Sequence, residues 1–211
     1  MLLVFDWDGT LIDSTGKIVR CLQEAARRTD LPVLPAPTLK NIIGLGLPEA
    51  IAQLYPDVSP AAQQLFKKAY SEAFVIADAR PCALYEGVEQ GLQQFRSSGH
   101  KLAVATGKSR RGLDRVLGNL QWQQHFDATR CADETASKPH PRMLLELIAE
   151  LEIPASEVFM VGDTEYDLLM AAKAGVRSVA VSYGAHDASR LQKHKPVAII
   201  DSFSELDRLF N

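Results

Sequence analysis

The stretch Val4-Phe5-Asp6-Trp7-Asp8-Gly9-Thr10-Leu11 ends an apolar run in two carboxylates one residue apart, then a glycine. Two aspartates held that close repel each other, so the arrangement is costly unless a cation or a shared proton offsets the charge. A hard divalent ion does so directly: magnesium takes oxygen ligands in an octahedral shell, usually through one or two carboxylates plus a substrate phosphate. The Asp8-Gly9-Thr10 turn adds backbone amides that can face an anion. The competing use of the same residues is an ordinary turn at a solvated strand end.

Three later segments supply further parts. In Lys101-Leu-Ala-Val-Ala-Thr106-Gly107-Lys108-Ser109 an apolar strand runs out into a hydroxyl, a permissive glycine and a helix start, a donor cluster suited to phosphate. Ser109 also reads as the N-cap of the next helix, and the two uses are compatible. In Ala136-Ser137-Lys138-Pro139-His140-Pro141 two prolines pin a lysine at a helix entrance, where it can neutralise phosphate charge or simply be a solvated surface charge. In Val158-Phe-Met-Val-Gly162-Asp163-Thr164-Glu165-Tyr166-Asp167 a buried strand again ends in an aspartate. Residues four apart are helix neighbours, so Asp163 and Asp167 are expected on one helical face, aimed at one ion or its waters; N-capping by Asp163 is the plainer alternative.

The elements that must position these groups alternate. Strands are expected near residues 2–6, 101–106, 126–130, 157–162, 177–182 and 197–200, with helices at 86–96, 110–117, 143–151 and 166–174, the last ended by Gly175. Such alternation predicts a doubly wound, three-layer, Rossmann-like α/β core around a parallel sheet, in which ligands bind beyond the carboxyl ends of the strands. All four segments fall at such ends. Between residues 15 and 80 the pattern is helical instead, over 17–28, 48–54 and 60–77, broken at 31–37 and at Asn41-Ile-Ile-Gly44-Leu-Gly46. The expected organisation is a discontinuous core of residues 1–14 and 81–211 carrying a small all-helical cap at 15–80. Crossings near 13–16 and 78–81 would let the cap open for substrate and close against water.

Taken in order, the four segments resemble the motif set of the haloacid dehalogenase superfamily of phosphohydrolases: Asp6-Trp7-Asp8-Gly9-Thr10, Thr106, Lys138, and Gly162-Asp163 with Asp167. The resemblance extends through Leu84-Tyr-Glu-Gly87-Val and from Lys138 to Ala185. The insert fits the cap of the phosphoglycolate-phosphatase-like branch, without a recognisable substrate signature. Trp7 departs from the smaller residue or phenylalanine usual there, but only its backbone enters the motif.

The resemblance implies a magnesium-dependent phosphatase that hydrolyses a small phosphorylated metabolite, with a phosphoglycolate-like acidic monoester as the family-weighted choice. Asp6 would be the nucleophile forming an aspartyl-phosphate, and Asp8 the general acid and base. Magnesium would sit on the side chains of Asp6 and Asp163 and the backbone carbonyl of Asp8, with Asp167 ordering its waters or the lysine. Gly9, Thr10, Thr106, Gly107 and Lys138 would hold phosphate oxygens, and loss of Lys138 is expected to cost catalysis more than folding. Gly44-Leu45-Gly46 would dip over the site, and Lys17, Arg20 and Lys108 would take an acidic leaving group. A β-phosphoglucomutase-like sugar-phosphate mutase shares the nucleophile and metal and stays open as an alternative. So does a non-catalytic phosphate-sensing or interaction protein. Dehalogenase and phosphonate-hydrolase branches are disfavoured because they depart from the Asp8 pattern.

Composition agrees with one core and a small second domain: 211 residues and 23.2 kDa. A formal net charge of -3 and a pI near 6.0 give no basic footprint for nucleic acid. Cys21, Cys82 and Cys131 are odd in number and widely spaced, and suggest neither a disulfide framework nor a zinc site. No run matches a membrane span, and the amino terminus lacks the basic region of a signal peptide, so a cytoplasmic location is expected. Nothing in the sequence specifies an oligomeric state.

Overall fold

The computed structural model of this chain describes residues 1–210. Six strands, β1 (Leu2–Phe5), β2 (Lys101–Thr106), β3 (Ala128–Cys131), β4 (Val158–Gly162), β5 (Arg177–Val181) and β6 (Ala198–Ile200), form one sheet. Its order is β3-β2-β1-β4-β5-β6 and every neighbouring pair is parallel. The chain builds outward from β1 to β2 and β3, then returns to the other flank of β1 with β4. That reversal opens a crevice at the carboxyl ends of β1, β2 and β4.

Strand side chains alternate between two covered faces, which is why these runs are apolar throughout. On one face Leu3, Phe5, Leu102, Val104, Phe159 and Val161 pack against α5 (Val88–Ser97), α6 (Arg110–Leu120) and α10 (Asp207–Phe210). On the other, Leu2, Val4, Ala103, Ala105, Val158 and Met160 pack against α7 (Arg142–Leu151) and α8 (Glu165–Lys173). The short helix α9 (Ala188–Leu191) closes a smaller cluster with Leu168, Ala180 and Leu191. The three-layer architecture expected from sequence is thus the one observed. Element ends differ by up to three residues, the largest difference being at α6, expected to end at 117 and observed to end at Leu120. Gly175, at φ +68°, follows α8 and turns the chain toward β5.

Between β1 and α5 the chain forms α1 (Thr15–Arg28), α2 (Ala36–Lys40), α3 (Leu47–Leu54) and α4 (Pro60–Ala77). These share an apolar cluster of their own, in which Ile18, Leu22, Leu39, Ile51 and Phe66 are buried, and α1 lies along α4. The helix α2 is not expected from periodicity: Pro35 and Pro37 make the segment read as a break, yet Pro37 occupies the first turn, where a missing amide costs nothing. No helix among the described residues is long and apolar enough to cross a membrane. Cys21 and Cys131 are buried free thiols and Cys82 is partly buried.

Trp7 shows what the motif alone does not convey. Its indole is fully buried, 6.4 Å from Trp122 at 84° and 6.2 Å from Phe126 at 68°, edge-on packing that anchors the motif loop in the core. Its Nε1 has no hydrogen-bond partner among the described residues. Trp7→Ala should therefore cost about 3–5 kcal/mol, as large aromatic truncations do. Trp7→Phe should cost less, because no hydrogen bond is given up. Urea unfolding with an unchanged m-value measures both, and equal midpoints for parent and Trp7→Ala would refute the packing account.

Candidate active site

Asp6 continues β1, its amide donating to Val161 O at 2.9 Å, and its carboxylate enters the crevice. One carboxylate oxygen each of Asp6, Asp163 and Asp167 lie within 4.8 Å of one another, and all three residues are buried. Asp163 does not share a helix with Asp167, contrary to the sequence expectation. It ends the β4 segment, Thr164 is the N-cap of α8, and Asp167 closes a capping box on Thr164. The two carboxylates meet because the strand end and the first helical turn converge. Space for Asp163 depends on glycine: a Cβ at Gly9 would lie 2.1 Å from Asp163 Oδ2, and one at Gly184 would lie 2.2 Å from Asp163 Cβ.

Lys138 is the counter-charge. Its Nζ lies 2.6 Å from Asp167 Oδ1 and 2.7 Å from Asp6 Oδ1, with the lysine side chain wholly inaccessible. The Asp167 contact is a hydrogen bond. The Asp6 contact is an ion pair on Oδ1, and Asp6 Oδ2 has no protein donor among the described residues. Burial alone would favour the neutral amine, but Asp167 and Asp6 outweigh it and hold the ammonium above the usual lysine value. Burial pushes Asp6 well above the usual carboxyl range, against the pull of Lys138. Burial, with Asp167 second, pushes Asp163 up to about 7.

Asp163 Oδ1 accepts from Thr10 Oγ1 at 3.0 Å, and Oδ2 from the Ala185 amide at 2.7 Å. Gly9 donates its amide to Ile12 O at 3.0 Å. The Gly9 amide is thus used in closing the turn, and the Thr10 hydroxyl positions Asp163. The amides of Trp7, Asp8 and Thr10 find no protein acceptor among the described residues and are free for an anion. Asp8 receives Ser14 Oγ at 2.6 Å and Lys108 Nζ at 3.0 and 3.1 Å on its two oxygens. Thr106 is buried at the end of β2, its hydroxyl accepting the Lys108 amide at 3.2 Å, and Ser109 caps α6 through Gly112 N.

A sequence profile of the haloacid dehalogenase-like hydrolases matches residues 3–181. The chain belongs to that family. A protein of Dickeya dadantii named as a probable phosphatase, IndB, is 33% identical over 97% of this chain and 91% of its own length. A phosphoglycolate phosphatase of Psychrobacter arcticus is 28% identical over 97% and 93%. A crystal structure named for a haloacid dehalogenase-like hydrolase from Bacteroides fragilis superposes with a TM-score of 0.90 at 27% identity, covering 97% of this chain and 98% of that one.

Above the carboxylates of this hydrolase opens a cleft of ≈ 750 Å³, reached by Asp6, Asp8, Gly107 and Lys108 from the sheet side and by the helical insert from the other. The loop Gly44-Leu45-Gly46 comes down on its edge. A Cβ at Gly107 would lie 2.5 Å from Leu45 O and 2.7 Å from Gly44 O, and Gly46 N donates to Ser137 Oγ at 2.8 Å. The cations expected for an acidic leaving group lie elsewhere. Lys17 is buried on Asp78 Oδ1 at 3.0 Å and Arg80 O at 2.9 Å, and Arg20 is exposed and does not line the cleft. Lys108 does line it, but is spent on Asp8 and lies 4.7 Å over the Phe74 ring.

Several contributors escape sequence reading. Ser14 precedes α1 and reads as a cap, yet it makes no side-chain cap bond because its hydroxyl serves Asp8. Asn41 is gripped across the junction by Tyr166 Oη at 2.8 Å and Arg190 Nη1 at 2.8 Å, and Asp78 binds both Lys17 and Arg115. These pairs are 37 to 149 residues apart in the chain and carry no local signal.

Because Lys138 is the one cation among the described residues paired with Asp6 and Asp167, its loss should cost folding as well as catalysis. Lys138→Met should destabilise the protein by about 3–5 kcal/mol in chelator, as when one partner of a buried pair is removed. Adding Asp167→Asn should recover part of that loss. Urea midpoints of the single and double variants check it, and a Lys138→Met midpoint equal to the parent's would contradict it.

Proposed function

We propose that this hydrolase, a phosphoric monoester hydrolase by class, is a magnesium-dependent phosphatase acting on a small phosphorylated metabolite through an aspartyl-phosphate on Asp6. The observation that carries this is the Asp6 carboxylate itself: buried, facing the cleft, paired with Lys138 Nζ at 2.7 Å on Oδ1, and with no protein donor on Oδ2 among the described residues. A buried carboxylate with one oxygen left open is a nucleophile and ligand in waiting.

The donor set suits magnesium, being all oxygen and carrying three buried carboxylates against one ammonium. Asp6 and Asp163 side chains and the Asp8 carbonyl would hold the ion. Asp167 has one oxygen on Lys138 and the other on Thr164, so its part is to position the lysine. Bound there, the ion would offset carboxylate charge and polarise phosphoryl oxygens.

The reaction then divides between this chain's residues. An Asp6 oxygen attacks phosphorus, the ester P–O bond breaks, and Asp8 gives a proton to the departing alcohol oxygen. Water then attacks the same phosphorus, its proton passing to Asp8, and the acyl-phosphate P–O bond breaks to return Asp6 and release phosphate. Ser14 and Lys108 fix the Asp8 carboxylate. Thr106, Gly107, Lys138 and the Trp7 and Asp8 amides would hold phosphate oxygens. Residues 15–80 would act as a cap on a core of 1–14 and 81–211, a division supported by their separate apolar cluster.

Relatives named as phosphoglycolate phosphatases make phosphoglycolate the first ester to try. Phosphate release from a panel of phosphomonoesters should depend on magnesium, stop with chelator and be lost in Asp6→Asn. Phosphate transferred to a sugar without release would point to a mutase instead, and no reaction with any ester would overturn the proposal.

The metal has a separate readout in stability. In chelator the folded protein keeps on Asp163 a proton that the unfolded chain releases near 3.8, so stability should fall as pH rises from there to about 7. Magnesium should abolish that fall and raise Tm, while Asp6→Asn should raise Tm in chelator and blunt the response to the ion. Thermal melts across pH with and without magnesium measure this, and identical curves would count against a metal at these carboxylates.

A further inference from the structure

The same cleft says something about the alcohol that leaves, if the phosphatase reading holds. A two-carbon acid held at Asp6 would not reach the α4 side of this cleft, which is open to solvent on one side and ≈ 750 Å³ in volume, so that wall is left for a larger leaving group. The wall above the carboxylates is one face of α4, on which Lys67, Tyr70, Ser71, Phe74 and Val75 follow at helical spacing. Tyr70, half-buried, packs on Phe74 with ring centroids 5.7 Å apart and planes at 45°; Phe74 shows the cleft only an edge, being 7% exposed and lying 4.7 Å beneath Lys108 Nζ. Val75 and Ile76 continue the wall, 50% and 66% exposed and both lining the cleft, and Ile42, Ile43 and Leu45 face in from the loop side.

Charge argues in the same direction. Of the cations lining the cleft, Lys108 is committed to Asp8 and Arg115 to Asp78. Lys67 and Arg111 have no carboxylate partner among the described residues, but both are exposed to water, where an ion pair contributes little. Among the described residues lining the cleft, no buried cation lacks a carboxylate partner. The Tyr70 hydroxyl, in contrast, makes no hydrogen bond among the described residues and stays protonated, burial and then Asp8 holding its phenol well above the usual value. It offers a polar edge on an otherwise apolar wall.

We infer that the leaving group is a ring-sized, mainly apolar alcohol that lies against Tyr70 and Phe74. Its apolar face replaces water on that wall, and Tyr70 bonds a polar substituent at its edge. The phosphate stays where Asp6 and Lys138 place it, so the wall selects among esters without altering the chemistry.

The test compares benzyl phosphate, phosphoglycolate and glucose 6-phosphate, all primary alkyl esters, so that the departing oxygens differ little in reactivity. Benzyl phosphate should have the highest kcat/KM, by at least about tenfold over phosphoglycolate. Tyr70→Ala should raise KM for benzyl phosphate much more than KM for phosphoglycolate, and Tyr70→Phe should restore most of the preference. A tenfold preference for phosphoglycolate or the sugar ester would overturn the inference while leaving the phosphatase reading intact. If no ester turns over, that reading falls, and calorimetric titration of Asp6→Asn still decides the inference. Benzyl phosphate binding about tenfold tighter than phosphoglycolate, with a negative heat-capacity change, upholds it; equal or reversed affinities reject it.

Discussion

Three buried carboxylates facing one buried ammonium are the constraint on which the rest of this molecule depends. Asp6, Asp163 and Asp167 converge, and Lys138 touches two of them. In a low-dielectric interior such an arrangement is stable only while every other lone pair and proton is provided for. Thr10, the Ala185 amide and the Thr164 cap provide for Asp163 and Asp167. Asp6 has Lys138 on one oxygen and no protein donor on the other among the described residues, so it is the least provided-for group in the cluster and the one that faces the cleft. Stability is surrendered there and recovered in the surrounding core.

The sheet makes the concentration possible. Parallel strands buried on both faces deliver their carboxyl ends to one edge, and the reversal of strand order beside β1 leaves room there. The apolar alternation of β1, β2 and β4 locks register, and a shift of one residue would turn Asp6 or Asp163 into a helix layer. Trp7 adds a further lock, burying an indole immediately after Asp6.

The helical insert meets this edge at discrete points: Gly44 and Leu45 carbonyls against Gly107, Gly46 on Ser137, Asn41 on Tyr166 and Arg190, and Asp78 between Lys17 and Arg115. Lys108 spans the gap, with its charge on Asp8 and its position over Phe74. The insert and the buried carboxylate edge are therefore in physical contact. Of the basic residues that the sequence suggests for an acidic substrate, Lys108 bridges the two parts, Lys17 ties α1 to the end of α4 within the insert, and Arg20 lies outside the cleft.

From sequence alone came the α/β alternation, the six strands, the helical insert and the carboxylate, hydroxyl and lysine positions at the strand ends, because periodicity and short motifs are local properties of a chain. Locality also explains the failures. Asp163 and Asp167 read as helix neighbours because only their spacing is visible, and α2 read as a break because its prolines are. Tertiary structure alone decided which charges pair: Lys138 with Asp6 and Asp167, Lys108 with Asp8, Lys17 with Asp78, and Thr10 with Asp163 across 153 residues. A lysine's partner is set by whichever carboxylate the fold brings within about 3 Å after both have lost their water, and no pattern along the chain encodes that distance.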